Sequence, residues 1–242
     1  MGKKFALVTG ASGGIGCAIA KQLIEENYGV YLHYFQNKEG VEKLLEQYKD
    51  DHKEIYLVQA DLSKQNGVSD LLCQINHPID DLLLVSGNSY FGLVTDMEEN
   101  KVHEMVQLHI TSPFLLAKAF VPSMISKKKG NIILITSVWG VVGASCEVLY
   151  SMLKGGQNTF VKALAKEVAP SNIRINAVAP GAINTSMLAS FSETEINQLV
   201  DEIPMGRLGE PEEVAHTVSF LLSNKACYLN GQVISINGAW HT

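Results

Sequence analysis

No run of apolar residues in this 242-residue chain approaches the roughly 18 that a membrane span requires, so no membrane role is expected. Basic residues are in deficit. Lys and Arg number 19 against 25 Asp and Glu, a net charge of −6, which argues against a nucleic-acid partner. Cysteine is scarce. Cys17, Cys73, Cys146 and Cys227 have no paired spacing, so a disulfide scaffold is excluded and reduced thiols in a cytoplasmic protein are expected. The seven histidines show no metal-ligand spacing such as His-Glu-x-x-His, and no metal site is expected. Linkers, low-complexity tracts and internal repeats are absent. Met1-Gly2-Lys3-Lys4 leads straight into an apolar stretch too short for a signal peptide, and Ala6 stands where N-myristoylation needs Ser or Thr.

What is present is an alternation. Apolar residues make up 46% of the chain, enough for one domain with a substantial core. Short Val/Ile/Leu-rich runs predict strands over 3–9, 29–35, 55–59, 81–86, 131–136, 173–178 and 232–236. Helical patterns fall between them, from just after Gly16 to about 27 and at 38–49, 64–76, 100–125, 147–168 and 211–223, with one acidic helix inside an irregular stretch at 186–203. Pro113 must kink the fourth pattern or start a fresh turn in it. Continuous apolar strands alternating with helices mean a parallel sheet covered on both faces. The expected fold is α/β: a single-domain Rossmann-type doubly wound parallel sheet of about seven strands, with helices on both faces, spanning residues 1–242. Gly and Ser cluster at the strand ends, where such a sheet binds ligands.

One cluster follows the first strand. Thr9, Gly10, Ala11, Ser12, Gly13, Gly14, Ile15 and Gly16 place glycines at G-x-x-x-G-x-G spacing and open a helix. Glycine lets backbone approach a pyrophosphate, and a helix N-terminus offers free N–H groups and a positive dipole end. By itself a Gly-rich turn is also simply a tight strand-to-helix connection. The end of the second strand reports which dinucleotide is expected. An acidic residue there would grip an adenosine ribose. That place holds Tyr34, Phe35 and Gln36, followed by Asn37 and Lys38. No carboxylate would repel a 2′-phosphate, and Lys38 could reach it, so NADPH (NADP+) is the expected cofactor. Gly13 contributes no second phosphate partner of the kind an Arg would supply.

A second cluster spans residues 137–154. Ser137 closes the fifth apolar run, and Tyr150 and Lys154 lie four apart at the start of a helical pattern, one turn from each other on one face. A hydroxyl, a phenol and an ammonium could converge there on one carbonyl oxygen. The pair alone proves little, because Tyr34 and Lys38 repeat the spacing.

Together these motifs resemble the short-chain dehydrogenase/reductase family. Thr9-Gly10-x-x-x-Gly14-x-Gly16, Ser137, Tyr150-x-x-x-Lys154 and Pro180-Gly181-x-x-x-Thr185 occur in the family's order over essentially the whole chain. Arg207-Leu208-Gly209-x-Pro211-Glu212-Glu213 and Asn237-Gly238 are similar to the 3-oxoacyl-carrier-protein reductases within it. Ser137-Val-Trp-Gly, Gly143-Ala-Ser, Gly155-Gly-Gln-Asn and the Gly-Ala-Trp ending look closer to the elongation factor P 5-aminopentanone reductases.

The resemblance implies catalytic roles for Ser137, Tyr150 and Lys154. It implies a cofactor groove from Thr9, Gly10, Ser12, Gly13, Gly14, Ile15, Gly16, Tyr34, Lys38, Asp61, Leu62, Gly87, Asn88, Tyr150, Lys154, Pro180, Gly181, Ile183 and Thr185. Two departures stand out. The family's Asn-Asn-Ala-Gly after the fourth strand reads Val85-Ser86-Gly87-Asn88 here, and its helical Asn, which holds a water to the active-site Lys, is replaced by His109. An imidazole can both accept and donate, so His109 either replaces that Asn in a proton relay or is merely packed in its helix.

The expected activity is NADPH-dependent reduction of a ketone. Tyr150 would give the proton, Lys154 would lower the phenol's pKa, and Ser137 would hold the carbonyl oxygen. A catalytically silent nucleotide-binding scaffold is the competing reading, and intact Ser137, Tyr150 and Lys154 argue against it. Residues 186–204 are the expected substrate lid. Its Glu193, Glu195, Asp201 and Glu202 would attract a positive group, such as an amine on a modified elongation factor P, unless they are ordinary solvated surface. Lys127, Lys128 and Lys129, with the uncharged turn Pro170-Ser171-Asn172 beside them, would otherwise ring the mouth for an acidic acyl carrier protein. A homotetramer is expected from the resemblance, with the apolar C-terminus around Trp240 at a subunit contact.

Overall fold

The computed structural model describes residues 2–189 and 191–241. Seven strands form one sheet: β1 (Phe5–Val8), β2 (Gly29–Tyr34), β3 (Ile55–Gln59), β4 (Asp81–Leu84), β5 (Gly130–Ile135), β6 (Ile173–Pro180) and β7 (Val233–Ile236). Their order is β3-β2-β1-β4-β5-β6-β7, and every pairing is parallel. The helices are α1 (Gly14–Glu25), α2 (Lys38–Gln47), α3 (Gly67–Leu72), α4 (Glu99–Val106), α5 (Ser112–Lys127), α6 (Trp139–Val142), α7 (Val148–Val168), α8 (Glu193–Glu202) and α9 (Pro211–Leu222).

The apolar runs are continuous because both faces of the sheet are covered. Successive side chains of a strand point to opposite faces. In β1, Ala6 and Val8 join a core with Ile19 and Leu23 of α1 and with Val214 and Val218 of α9. Leu7, between them, joins the opposite core with Leu71 of α3, Leu116 and Phe120 of α5 and Val161 of α7. The chain winds outward from β1 to β3, then returns to β4 on the other side of β1. The connections that leave the paired strands β1 and β4 therefore run in opposite directions at a switch point, which opens a crevice at their C-terminal edge.

The predicted helix over 100–125 is interrupted. Between α4 and α5 the chain makes a π-helical turn over Gln107–Thr111. The cause is Pro113. It has no N–H to give the carbonyl four residues back, that of His109. Gln157 Nε2 of α7 donates to that carbonyl instead, at 2.6 Å. A π-turn at such a break often marks a functional position. The whole helical run Glu99–Lys127 carries a window of mean hydropathy 1.3, long and apolar enough on composition alone to cross a bilayer. Leu116, Ala117, Phe120 and Met124 on it are buried against the sheet, as in a core helix.

Other boundaries move by a few residues. The predicted helix over 64–76 shortens to α3 because Asp61 Oδ1 accepts from Ser63 N and Ser63 Oγ, at 3.0 and 2.6 Å, and holds the preceding residues in a turn. The short helix α6 was not expected from the sequence. The Arg207-to-Glu213 motif proves to be a helix start. Pro211 is the first residue of α9, and Glu213 accepts from Glu210 N at 2.8 Å in a reciprocal capping box. Arg207 pairs with both oxygens of Glu213 at 2.8 and 2.7 Å and holds its carboxyl down at about 2.

Candidate active site

A cavity of about 800 Å³ opens at the C-terminal edge of the sheet. Its floor begins at the end of β1. Thr9 Oγ1 accepts from the amides of Val85 and Ser86, at 2.9 and 3.1 Å, and so ties the end of β4 to β1. Gly10 follows with φ +67°, and a side chain on it would sit 2.9 Å from Ser86 Cα. Only glycine meets both demands. At Gly14 a Cβ would lie 2.7 Å from Thr185 Cγ2, so the glycine turn presses against the segment after β6. Helix α1 then starts with no side-chain cap on its first amides, and Gly14, Ile15 and Gly16 line the cavity. Bare amides on a glycine cradle fit a pyrophosphate.

Ser12, Gly13, Gly87, Asn88, Pro180, Gly181, Ile183 and Thr185 line the same cavity with Gly10, Ser137, Tyr150 and Lys154. A backbone bridge between Ile183 and Gly209, with Gly209 N donating to Ala182 O at 2.9 Å, anchors the loop after β6. The remaining sequence-derived positions lie outside this lining. Thr9 is the buried tie just described. Tyr34 is buried at the end of β2, and Asp61 and Leu62 follow β3, at the same edge of the sheet. Lys38 is exposed and pairs with Glu42 at 2.8 Å.

The reactive end is built by β5 and α7. Ser137, two residues past β5, is buried, and its Oγ accepts from Trp139 N at 3.1 Å. That bond takes a lone pair and leaves the hydroxyl proton free to donate into the cavity. Lys154 is buried. Its Nζ donates to Ile135 O at 2.9 Å and lies 5.5 Å from the centre of the Tyr150 ring. Burial pushes the Lys154 ammonium down to about 7. Burial pushes the Tyr150 phenol up to about 12, with Ser137 drawing it back and the Glu147 carboxylate adding to the rise. The sequence predicts a phenol lowered by Lys154. The structure differs because Nζ is turned to a backbone carbonyl and holds its own charge weakly in an apolar setting.

His109 stands behind this pair and outside the cavity. Its Nε2 lies 3.0 Å from Asn88 O and 3.2 Å from Asn88 Oδ1, and its ring meets Tyr150 edge-on at 5.8 Å. Burial, and then the charge of Lys154, push it down to about 3, so it is neutral. Its Nδ1 is buried without a partner among the described residues. The two departures seen in the sequence meet here. A Cβ on Gly87 would lie 2.9 Å from His109 Cε1, so glycine at 87 makes room for imidazole at 109.

The rest of the cavity lining includes apolar and acidic side chains. Phe91, Trp139, Met187, Leu188, Phe191 and Trp240 line it, as do the carboxylates of Glu147 and Glu202. Trp139 and Trp240 meet edge-on at 4.9 Å, and Trp240 Nε1 donates to Glu202 Oε2 at 3.3 Å. Of the predicted lid over 186–204, Ser190 lies outside the described residues, and Ser186–Leu188, Phe191, Leu199 and Glu202 reach the cavity. Glu193 and Glu195 sit in the first turn of α8 instead, with Glu195 closing a capping box on Ser192.

The sequence missed Glu147, which directly precedes α7 and resembles an ordinary helix-start acid. Burial raises its carboxyl above the usual range. The expected basic ring needs correction. Lys127 ends α5, Lys128 and Lys129 lead from it into β5, and Asn172 Nδ2, just before β6, donates to Lys128 O at 3.1 Å. Both segments lie at the N-terminal edge of the sheet, opposite the cavity, and Lys127 is paired there with Asp80. Among the described residues no group of three or more His, Cys, Asp or Glu is placed to hold a metal ion.

This edge-of-sheet site, with a glycine cradle at one end and Ser, Tyr and Lys at the other, is that of a nucleotide-binding α/β oxidoreductase. A family model described as enoyl-(acyl carrier protein) reductase matches residues 10–241. The chain belongs to the short-chain dehydrogenase/reductase family. It is 50% identical over 239 residues to a Bacillus subtilis protein called uncharacterized oxidoreductase YmfI, covering 98% of this chain and 99% of that one. It is 34% identical over 241 residues to 3-oxoacyl-[acyl-carrier-protein] reductase FabG of Staphylococcus epidermidis, covering 98% and 99% of the two chains. The crystal structure of a 3-oxoacyl-[acyl-carrier protein] reductase from Brucella melitensis superposes with a TM-score of 0.91 at 28% identity, over 99% of this chain and 92% of that one.

Proposed function

We propose that the protein is an NADPH-dependent carbonyl reductase whose substrate is a ketone bearing an ammonium group, the chemistry of a 5-aminopentanone on elongation factor P. The observation that carries the substrate class is Glu147. It lines the same cavity as Tyr150, is half-buried, and its carboxyl is raised by burial with no cation to offset it. A half-buried carboxylate with no cation beside it among the described residues is partly desolvated at a cost, and a substrate cation would relieve that cost. Glu202 and the aromatic side chains of Trp139 and Trp240, which line the same cavity, support a setting suited to an ammonium.

When bound, the reduced nicotinamide supplies the hydride to the carbonyl carbon. The chain's own residues do the rest. Ser137, its lone pair held by Trp139 N, donates a hydrogen bond to the carbonyl oxygen as charge develops and keeps its own proton. Tyr150 gives its phenolic proton to that oxygen. Lys154, buried behind Tyr150, favours the resulting phenolate whenever it is charged. His109 is neutral and holds Asn88 and the edge of the Tyr150 ring; the proton-relay role rests on its unpartnered Nδ1. Gly10 to Gly16 hold the pyrophosphate, and Lys38, swung from Glu42, takes the 2′-phosphate. Phe114 and Met152, both exposed on α5 and α7, support assembly into a tetramer.

Likeness to FabG favours a second reading, in which the substrate is a 3-oxoacyl thioester on acyl carrier protein. The test compares kcat/KM for an acetoacetyl thioester with that for elongation factor P carrying an aminopentanone. The amine-bearing ketone should be preferred, and Glu147→Gln should lower kcat/KM for it while sparing the thioester. A thioester preference that Glu147→Gln leaves unchanged returns the protein to acyl-chain reduction.

A further inference from the structure

We propose that His33 is a positioning residue for cofactor binding, which fixes the Gly10 amide and with it the glycine turn that grips the pyrophosphate. The proposal rests on the cavity being a dinucleotide site. His33 lies near the C-terminal end of β2, the second strand from one edge of the sheet, opposite Val58 of β3, and is buried. Its Nδ1 accepts from Gly10 N at 3.0 Å, and its Nε2 lies 3.1 Å from Ala60 O. A carbonyl only accepts, so Nε2 must carry the proton and Nδ1 the lone pair. The two bonds select one neutral tautomer. Ser86 Oγ, at the end of β4, stands 3.4 Å from the same Nδ1.

The rest of the turn is held from the same strand. Ala11 N donates to the His33 carbonyl at 2.8 Å, and Gly13 N donates back to Gly10 O at 3.1 Å. Residues 10 and 11 are thus fixed by one residue of β2, its ring and its backbone. Gly10 has the left-handed φ of +67° that turns the chain toward α1. A shift of its amide would carry the whole cradle with it. Protonating His33 would point an N–H at the Gly10 N–H. Burial keeps the ring neutral by pushing it down to about 4, which the bond to the Ala60 carbonyl and then the charge of Asp61 oppose only partly.

Two substitutions separate positioning from packing. His33→Asn places Oδ1 where Nδ1 sits and drops the contact to Ala60. His33→Gln places an amide nitrogen where Nε2 sits and leaves Gly10 N without an acceptor. Each removes one buried hydrogen bond, so both should lower the melting temperature to a similar degree. NADPH fluorescence titration should separate them. His33→Asn is expected within about threefold of the wild-type Kd, and His33→Gln weaker by about tenfold or more, with KM for the ketone unchanged in both. Equal weakening by the two, or no weakening by His33→Gln, overturns the proposal. If neither variant folds, imidazole 15N resonances of the wild type decide: a proton on Nδ1 rather than Nε2 overturns it. Failure of the wild type to bind NADPH is a separate result, which refutes the dinucleotide reading itself.

Discussion

Replacing Gly87 by alanine tests the packing of the reactive end. Gly87 is not among the residues with positive φ, so alanine is free to adopt its backbone, and only the new methyl matters. That methyl would sit 2.9 Å from His109 Cε1, 3.5 Å from Nδ1 and 3.7 Å from Nε2. The imidazole cannot retreat easily. It is fully buried, held by Asn88 on one side and backed by the Tyr150 ring on the other. Overpacking of this kind costs about 1–3 kcal/mol. At about 2 kcal/mol, a chain of this length loses about 4–8 °C of melting temperature. Because the ring that must move touches Tyr150, kcat should fall more than KM rises. Asparagine at 109 lacks the Cε1 and Nε2 atoms, so Gly87→Ala in a His109→Asn background should cost much less. Thermal melts of the two single variants and the double variant give the coupling directly, and about 1–2 kcal/mol of mutual rescue is expected. Additivity within about 0.5 kcal/mol would refute the claim that glycine at 87 exists to admit imidazole at 109.

Tyr150→Phe should fold and bind cofactor like the wild type, yet lose carbonyl reduction by at least about a hundredfold, because the ring packs the same and has no proton to give; turnover within a fewfold of wild type removes Tyr150 from the mechanism. Lys38→Ala should narrow the preference for NADPH over NADH measured by fluorescence titration, since the carboxylate-free end of β2 leaves Lys38 as the cation to meet a 2′-phosphate; an unchanged ratio assigns that phosphate to another group. His109 also sets an acid limit. Its folded pKa, about 3, lies below that of free imidazole, so the unfolded chain binds the proton first and stability contributed above about pH 6.5 is lost as pH falls toward 3. The stability gap between wild type and His109→Asn, followed by melting from pH 7 to pH 4, should therefore narrow on acidification, and a constant gap contradicts a buried neutral His109.

The parts of this site that were legible in the sequence are those whose meaning is local. The glycine turn joins a strand to a helix over a few residues, and Tyr150 and Lys154 are one helical turn apart. Neither needs the sheet order to be understood. His33 does. On its own it is an inconspicuous residue near the end of a strand, and its partners Gly10 and Ala60 are brought to it only when β2 lies between β1 and β3. The π-turn at His109 was half legible, since Pro113 announced a break, but the donor that replaces the missing amide comes from Gln157 on another helix. The charge argument about the mouth failed for a different reason, and one the sequence could have prevented. In an all-parallel sheet, every segment that leads into a strand lies at one edge, and every segment that leaves a strand lies at the other. Lys127, Lys128 and Lys129 lead into β5, so they had to face away from Ser137, which leaves it. Glu147 lies between the end of β5 and the start of α7, on the ligand edge by the same rule. Sorting the charged residues by edge, before weighing their sign, would have discarded the lysines and singled out the carboxylate on which the substrate assignment now turns.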